Sequence, residues 1–441
     1  MNYVYCSDLK NHQVLGTFLE LLYHLKVVKN EDPIPMVIVG ARDAKKIPNL
    51  KSFLSEKLGI KSGIYKINNE MSFNGKIEEK SVALTGKIAS IKELQSLEHD
   101  SINIGTGIAS SLISRYRCTE PDLNKINKEL NLYTQQAILF LESFQQTAFT
   151  NINKKDTIYI YNGRHYNTYP QSLFCEKIGC NILYYERMNS WKNLKIQKPR
   201  IHDFLATSHI IKTLWENTND TKKEKTGTSF FDKNKSNQFT HNFSKKLDLN
   251  NDIVSFFTSS EDEFAALDPR ICLSDLFNNQ RKAIEWLINW AASQKKYTLV
   301  IRLHPNQAHI CSKDYEYWHN LFGKNVVLIP SSSNIDSYDL ITRSSKVVSF
   351  LSTVGIEATR SSIPSITLGN PIYKGLDAVY EPTTIGQLTY LLENDIKTKD
   401  KENTTPYGYY NLKHGPSLGF LPHTGLDSFE NYPDLLNSKI S

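Results

Sequence analysis

Short apolar runs rich in Val, Ile and Tyr alternate with amphipathic stretches along most of the chain. This alternation is typical of a parallel β-sheet whose strands are joined by covering helices. In the first half, the predicted strands are residues 2–7, 35–40, 81–86, 102–107, 156–163 and 181–187. In the second half they are DIVSFFTSS, YTLVIRLHP, NVVLIP, KVVSFLS and PSITLG. The sequence therefore predicts an α/β fold built from doubly wound units.

A chain of 441 residues is longer than one hydrophobic core usually supports, so we expect two domains. Residues 217–250 are rich in Asn, Lys and Thr and poor in aliphatic residues, which favours a linker and surface loop. The predicted division is an N-terminal domain over 1–216, the linker over 217–250 and a second domain over 251–399. Residues 400–441 are a C-terminal extension, either docked or mobile.

The composition is that of an ordinary globular protein, with 40% hydrophobic and 22% charged residues. The net charge of +6 is spread along the chain, which argues against a nucleic-acid partner. Six cysteines without a CxxC pair are expected to be buried thiols in a reducing cytoplasm. No stretch approaches the ~20 apolar residues of a membrane span. We expect a cytoplasmic protein, with peripheral contact to the inner membrane left open.

Two doubly wound units leave a crevice at the carboxyl ends of their strands, where such sheets bind ligands. In RLHPN, Arg302 belongs to a predicted strand, and His304 falls at its carboxyl end, where Pro305 stops the ladder. A histidine there can donate a hydrogen bond to a phosphate oxygen. The alternative is a turn histidine without a role.

The segment LSTVGIEA has the same organisation, because Ser352, Thr353 and Gly355 end a strand and open a helix. Hydroxyls and backbone N–H groups at such a position can bind an anion. Glu357 follows on the first turn, where it can reach ligand hydroxyls. The alternative is a helix cap formed by Ser352 with an ordinary first-turn acid.

The segment TSSEDE places hydroxyls and three carboxylates after another predicted strand. Ser259 and Ser260 are candidates for binding substrate. Glu261, Asp262 and Glu263 are candidates for a general base that activates an acceptor hydroxyl. The same spacing also fits a helix capping box.

In the first half, the strand before YNGRHY ends at a turn that carries Asn162 and Arg164. Arginine has a planar, forked cation that suits an acidic substrate. Glu186 ends the next strand, so all three residues are predicted to face the crevice as substrate ligands. A structural Arg164–Glu186 ion pair is the alternative.

Motifs for other chemistries are absent from the sequence. There is no HExxH, no paired DxD and no His/Cys cluster, so no metal is expected. No GxSxG elbow follows a strand, which argues against a serine hydrolase.

Together, His304-Pro305, Ser352-Thr353, the GIEA run from Gly355 and the GNPIY run from Gly369 resemble the capsule polysaccharide biosynthesis group of GT-B glycosyltransferases. That group includes Kdo transferases. Asn162, Gly163, Arg164 and Glu186 are also similar to relatives of the group. The resemblance implies two Rossmann-like domains facing a crevice, with His304, Arg302, Ser352, Thr353, Gly355 and Glu357 around the donor.

The function implied is metal-independent transfer of a sugar from a nucleotide-sugar co-substrate, with no further cofactor. HP and Ser-Ser elements also occur in bacterial sialyltransferases, which favours an acidic nonulosonate or Kdo carried by CMP. The acceptor is a glycan or lipid-linked glycan of capsule or O-antigen. Alternatives are a UDP-sugar-dependent hexosaminyl transferase, a UDP-sugar 2-epimerase, a polyol-phosphate polymerase, or a non-catalytic partner of a polysaccharide synthase.

Overall fold

The structure is a computed structural model that describes residues 1–68, 75–188, 192–236, 251–420, 431, 432 and 436. Within these ranges lie two mainly parallel sheets, each with helices packed on both faces. This arrangement confirms the predicted α/β fold of two Rossmann-like domains. None of the described helices is long and apolar enough to cross a membrane.

The first domain contains a six-stranded sheet with the order β3-β2-β1-β6-β7-β8 and a separate antiparallel pair, β4-β5. All neighbours in the large sheet are parallel except β7 and β8. The strands are β1 (Asn2–Cys6), β2 (Pro33–Gly40), β3 (Ile64–Asn68), β4 (Glu98–His99), β5 (Ile102–Asn103), β6 (Thr157–Tyr161), β7 (Asn181–Arg187) and β8 (Leu194–Gln197).

The second domain contains a fully parallel sheet with the order β11-β10-β9-β12-β13. Its strands are β9 (Asp252–Phe257), β10 (Tyr297–Arg302), β11 (Val326–Ile329), β12 (Lys346–Ser349) and β13 (Ser365–Thr367). The chain reverses its direction of travel across the sheet between β9 and β12. In open parallel sheets, this switch point is where ligands bind.

The helices of the first half are α1 (His12–Tyr23), α2 (Ile47–Leu58), α3 (Gly75–Thr85), α4 (Ile91–Gln95), α5 (Gly105–Tyr116), α6 (Asn127–Asn151), α7 (Tyr169–Ile178), α8 (Phe204–Asn217) and α9 (Lys223–Ser236). Those of the second half are α10 (Glu261–Ala265), α11 (Gln280–Ser293), α12 (Ser312–His319), α13 (Ser337–Arg343), α14 (Val354–Arg360), α15 (Ile385–Glu393) and α16 (Thr405–Lys413). A 3₁₀ helix, Pro305–His309, follows β10.

Strand β1 shows why these sheets are buried on both faces. Tyr3 and Tyr5 point into a core shared with α5, α6 and α7, whereas Val4 and Cys6 point into a core shared with α1 and α2. Successive side chains of a strand alternate between faces, so a continuous apolar run is needed to fill both. Each fully buried aliphatic or aromatic side chain stabilises the fold by about 1.5–3 kcal/mol.

The strand predicted at residues 81–86 is wrong, because these residues belong to helix α3 and the turn that follows it. Ile77 and Leu84 pack against the first core, and Ser81 between them is buried, which is the three-to-four-residue spacing of a helix face. Val82, the apparent centre of the strand, is half exposed. The strand predicted at 102–107 is also mostly helix, since only Ile102 and Asn103 pair and α5 begins at Gly105.

The linker and loop predicted at 217–250 is wrong for its first part, where α9 forms. This helix packs on α16, and the two backbones meet at Gly227 and Gly408. A Cβ on Gly408 would lie 2.1 Å from the carbonyl oxygen of Gly227, so only glycine permits this approach. Residues 237–250 of the predicted linker lie outside the described residues.

The described part of the C-terminal extension is docked. Helix α16 packs on α8 and α9, and Leu194 of β8 donates a backbone hydrogen bond to Pro416. The buried carboxylate of Glu20 on α1 then accepts hydrogen bonds from the backbone N–H groups of Gly419 and Phe420, each 2.9 Å long. The chain thus returns to the first domain after it has built the second.

The expectation of six buried thiols is wrong at three positions. Cys118, after α5, forms a disulfide with Cys311, at the start of α12, over a Cα–Cα distance of 5.1 Å. The two lie 193 residues apart in the sequence and are brought together only by the contact between domains. Cys272 is a free but exposed thiol, whereas Cys6, Cys175 and Cys180 are free and buried.

Candidate active site

A cavity of about 490 Å³ lies between the two domains. From the second domain it is lined by residues at the carboxyl ends of β9, β10 and β12, which flank the switch point of that sheet. From the first domain it is lined by residues from β7, from β8 and from the start of α8. The predicted site residues that line it are Glu186, Ser259, Ser260, Glu263, His304, Ser352 and Thr353.

His304 presents one defined hydrogen-bond donor to this cavity. Its Nδ1 accepts a hydrogen bond from the backbone N–H of Asn306 at 3.1 Å and so caps the 3₁₀ helix that follows β10. Burial, followed by the nearby charge of Arg302, lowers the pKa of His304, so the ring is neutral near pH 7. With Nδ1 as the acceptor, the proton of the neutral ring resides on Nε2.

The hydroxyls of the site differ in their partners. The Ser260 hydroxyl donates to Asp262 at 2.6 Å, and Ser352 Oγ accepts from the Val354 N–H at 3.3 Å. Ser259 is buried, yet its Oγ has no hydrogen-bond partner among the described residues. A buried hydroxyl without a partner carries a desolvation cost that a bound ligand would remove.

Of the three predicted carboxylates, only Glu263 lines the cavity. It accepts a hydrogen bond from Asn306 Nδ2 at 3.2 Å, and burial, with a smaller contribution from Asp262, raises its pKa. Asp262 points to Ser260 and lies 3.9 Å from the Arg117 Nε. A carboxylate whose pKa is raised is a stronger base for an acceptor hydroxyl.

Glu261 serves the structure around it. It accepts from Arg281 Nε at 2.6 Å and from Trp318 Nε1 at 3.3 Å. Arg281 in turn binds Asp314, which accepts from both the backbone N–H and the hydroxyl of Thr119 in the first domain. This network supports the domain contact next to the Cys118–Cys311 disulfide.

Arg302, Gly355 and Glu357, predicted around the donor, lie behind the cavity wall. The guanidinium of Arg302 is buried and donates to the carbonyl oxygens of Leu303, Pro330 and Ser333 at 2.7–3.0 Å. Glu357 is held by hydrogen bonds to Tyr338 and Thr353, and burial raises its pKa. These two side chains support the strand ends that carry His304 and Thr353.

Gly355 is required by close packing. A Cβ at this position would lie 2.4 Å from the Tyr373 Oη, and that hydroxyl donates to the backbone carbonyl of Ser352 at 2.6 Å. Tyr373 is fully buried, and it lines the cavity. The glycine therefore allows the GNPIY segment to fix the position of the Ser352–Thr353 turn.

On the first-domain wall, Asn162 organises Glu186. Asn162 adopts a left-handed backbone with φ of 56°, which turns the chain after β6. Its Nδ2 lies 3.2 Å from both the Glu186 carboxylate and the His202 Nε2. Burial raises the pKa of Glu186, whereas nearby Lys195 and Arg164 oppose this shift.

Arg164 lines a small adjacent cavity and not the main one. Burial lowers its pKa, and Glu186 and Glu263 partly restore it. No ion pair within 4 Å joins the described Arg164 and Glu186 side chains, so the structural pair considered as an alternative does not form.

The sequence analysis missed several cavity residues: Lys195, His202, Asn306, Tyr410 and Asn411. Asn306 could have been predicted from the sequence, since it directly follows His304-Pro305. Lys195 lies on the short edge strand β8, and Tyr410 and Asn411 lie on α16, in a segment without clear periodicity. Lys195 lies near Tyr410 and Asn411 only because helix α16 folds back onto the first domain.

Two clusters of the described residues have metal-ligand atoms within 4.8 Å of one another. One combines Cys118, Cys311 and Asp314, but its cysteines form the disulfide. The other combines His99, Asp100 and Glu142, in which His99 Nε2 lies 3.1 Å from the Glu142 carboxylate. Neither cluster lines the cavity.

Two Rossmann-like domains with a ligand cavity at the switch point define a protein of the GT-B type. The family model described as capsule polysaccharide biosynthesis protein matches residues 266–380 of the second domain. This match confirms the resemblance that the sequence motifs predicted for that domain. No curated protein matches the chain.

Several solved structures are similar at low identity. The β-Kdo 2,7 transferase KpsC of Thermosulfurimonas dismutans is 13% identical and covers 60% of this chain and 79% of its own, with a TM-score of 0.38. MnaA of S. aureus, solved with UDP, is 13% identical over 100% and 98%, with a TM-score of 0.30. The spinosyn rhamnosyltransferase SpnG is 9% identical over 96% and 99%, with a TM-score of 0.29. These values do not transfer an activity to this chain.

Proposed function

We propose that this chain is a glycosyltransferase of surface-polysaccharide synthesis that moves a sugar from a nucleotide-sugar donor to a glycan acceptor. The observation that carries the proposal is one cavity in which a neutral His304, an unpartnered Ser259 hydroxyl and the base-like Glu263 meet at a sheet switch point. Its volume of about 490 Å³ is within the usual range for small-molecule sites. The capsule biosynthesis match over residues 266–380 supports the same function.

In this proposal, the donor phosphate lies against the second domain. The His304 Nε2–H and the hydroxyls of Ser259 and Ser352 donate hydrogen bonds to its oxygens, while the Thr353 hydroxyl stays bonded to Glu357. These donors are fixed before the reaction and face the position where negative charge grows as the phosphate leaves. Arg302 and Glu357 act indirectly, by holding the strand ends that carry these donors.

The acceptor glycan enters from the first domain, beside Glu186 and Asn162. Glu263 takes the proton of the acceptor hydroxyl while that oxygen bonds to the anomeric carbon. The bond from the anomeric carbon to the phosphate oxygen breaks, and the nucleotide leaves with the electron pair. The Asn306 amide orients the Glu263 carboxylate. Because the pKa of Glu263 is raised, this carboxylate accepts a proton more readily than an ordinary glutamate does.

For the donor we propose a CMP-activated acidic sugar, and for the acceptor a glycan or lipid-linked glycan of capsule or O-antigen. A monophosphate leaving group concentrates its charge near His304 and the Ser352–Thr353 turn. We expect the reaction to occur in the cytoplasm, with peripheral contact to the inner membrane where a lipid-linked acceptor is used. Neither a metal nor a resident cofactor takes part in this proposed mechanism.

The first test is a thermal-shift screen of the purified protein against CMP, CDP, UDP, GDP and their sugar conjugates. A ligand that binds only the folded state raises the apparent melting temperature by mass action. We expect a shift with CMP and CMP-sugars that is lost in His304→Ala. The matched control is His309→Ala, which changes an exposed histidine on the same 3₁₀ helix.

The second test is transfer of a radiolabelled sugar from the shifting donor to purified capsular oligosaccharide. If UDP and not CMP raises the melting temperature, a UDP-sugar replaces the CMP-sugar as the proposed donor. The absence of any shift or transfer would contradict the glycosyltransferase proposal.

A further inference from the structure

A polar junction joins the two domains outside the cavity lining. On the first-domain side it begins at Arg117, which caps α5 with a left-handed φ of 47°, and continues through Cys118 and Thr119. On the second-domain side it consists of Cys311 and Asp314 at the start of α12. We call these residues the junction. Besides the Cys118–Cys311 disulfide, a backbone hydrogen bond of 2.9 Å runs from the Cys311 N–H to the Arg117 carbonyl.

Helix α10, which carries the proposed base Glu263, depends on this junction for its position. Although α10 follows β9 of the second domain, Ala266 directly after it is buried in the first-domain core that includes α5. The buried Asp262 of α10 lies 3.9 Å from the Arg117 Nε. Helix α10 therefore contacts the first domain at the point where α5 ends.

A series of polar contacts links the same helix to the junction by a second route. Thr119 donates to Asp314 through its backbone N–H at 2.7 Å and through its hydroxyl at 2.8 Å. Asp314 also accepts from Arg281, and Arg281 donates to Glu261 of α10 at 2.6 Å. Hydrogen bonds between charged partners are stronger than those between neutral groups. The two residues that precede Glu263 in the chain are thus both held through the junction.

The disulfide is the part of the junction that chemistry can change. Cys118 is 5% exposed, whereas Cys311 is more exposed, so a thiol reaches the Cys311 sulfur more readily. Where disulfides occur in cytoplasmic proteins, they are usually transient or redox-sensing. The other four cysteines of the chain are free thiols, so a reductant breaks this bond alone.

We propose that the Cys118–Cys311 pair is a site of reversible thiol–disulfide exchange, and that its disulfide form positions α10, and with it Glu263, for sugar transfer. The second part rests on the proposed function, which assigns Glu263 as the base. In the dithiol form the polar contacts remain, but the ends of α5 and α12 are no longer covalently fixed. A displacement of about 1 Å at a reacting group can lower a rate by about 10²-fold.

The exchange partner is a small dithiol. Its thiolate attacks the Cys311 sulfur, the S–S bond of the protein breaks, and Cys118 leaves as a thiolate that takes up a proton. The second thiol of the partner then displaces Cys311, which is protonated in turn. The protein gains two electrons and two protons, and the partner is oxidised to a cyclic disulfide.

The first test measures amide hydrogen exchange of the full chain before and after reduction with dithiothreitol. We expect residues 258–266 to exchange faster in the reduced protein and β12, which lies away from the junction, to be unchanged. Oxidised glutathione should restore the slow exchange. Unchanged exchange at 258–266 would overturn the proposal. Loss of the near-ultraviolet circular dichroism on reduction would also overturn it, because the disulfide would then hold the whole fold together.

The second test compares the kinetics of the oxidised and reduced protein. We expect reduction to lower the kcat for sugar transfer by about 10- to 100-fold and to change donor affinity by less than about twofold. Donor affinity is retained because His304 and Ser352 lie on other strand ends. An equal kcat in both forms, with the exchange of 258–266 altered, would show that the disulfide does not position Glu263.

Two variants control these tests. The double variant Cys118→Ala/Cys311→Ala should show the fast exchange and low kcat of the reduced protein and should not respond to reductant. Cys272→Ser removes an exposed free thiol and should keep the full response. Where the double variant does not fold, reduction of the unaltered protein decides the question. Failure of the proposed function has a different signature, in which exchange at 258–266 responds to reductant but neither form transfers sugar.

Discussion

His304 has two separable roles, and substitution distinguishes them. In His304→Ala, the ring no longer caps the 3₁₀ helix through Nδ1, and the Nε2–H is lost to the cavity. In His304→Asn, the shorter side chain can still accept from the Asn306 N–H, because asparagine is a preferred N-cap residue. It cannot reach as far into the cavity. Both variants therefore lose the Nε2–H donor in the cavity, but only His304→Ala also loses the cap of the 3₁₀ helix.

The magnitudes follow from these contacts. Loss of an N-cap hydrogen bond costs about 1 kcal/mol of stability, so we expect His304→Ala to lower the free energy of unfolding by about that amount. A hydrogen bond to a charged phosphate contributes about 1.5–3 kcal/mol, which corresponds to about a 10- to 150-fold loss of nucleotide-sugar affinity. His304→Asn should recover most of the stability and little of the affinity.

The assay pairs urea unfolding with calorimetric binding of CMP or of the nucleotide that shifts the melting temperature. His309→Ala on the same short helix controls for loss of a histidine that lies outside the cavity lining. If His304→Ala binds nucleotide as tightly as the unaltered protein, His304 does not contact phosphate. If His304→Asn restores affinity and stability together, the histidine acts only as a cap.

Three further predictions follow. Glu263→Gln should lower transfer by about 10²–10⁴-fold with little effect on donor binding. Because burial raises the pKa of Glu263, the acid limb of the rate profile should lie above the usual glutamate range, and an unchanged rate would remove Glu263 as base. Gly355→Ala should cost about 1–3 kcal/mol in urea unfolding by displacing Tyr373, whereas Gly386→Ala should not, since a Cβ there would meet only Thr384 Oγ1 at 4.0 Å. The Cys118–Cys311 disulfide closes a loop of 193 residues, so its loss in Cys311→Ser should lower the free energy of unfolding by about 5 kcal/mol. Cys272 is an exposed free thiol, so Cys272→Ser should change this free energy little.

The sequence predicts most of the fold because its central strands are continuous apolar runs. Strands β1, β2, β6, β7 and β9 are buried on both faces, and their Val, Ile and Tyr content is easy to read. The edge strands β3 and β8 were missed because polar residues interrupt their short apolar runs, Lys66 and Asn68 in β3 and Lys195 and Gln197 in β8. The strand predicted at residues 81–86 was wrong for the opposite reason, because the short apolar run there lies on one face of a helix.

For the site, the position of a residue at the carboxyl end of a strand predicts well that it lies near the cavity. It predicts poorly which side chains that residue contacts. It brought His304, Ser352, Ser259 and Glu186 to one cavity. It could not show that Glu261 turns away, because its partner Arg281 lies on α11 and the ion pair is a tertiary contact. The same limit explains why Lys195 and Tyr410 were missed, since only the docking of α16 brings them together.

The return of the chain to the first domain has a consequence for the order of synthesis. Domains usually fold as units, with the N-terminal domain first as the chain emerges from the ribosome. Here Phe420 belongs to the core around β1 and α1, and its N–H satisfies the buried Glu20. The first domain therefore cannot complete its own core until the chain has been translated as far as Phe420. Until then, Glu20 and the surrounding apolar surface remain open to chaperones, and the cavity gains its α16 wall only once residues 405–413 have been translated.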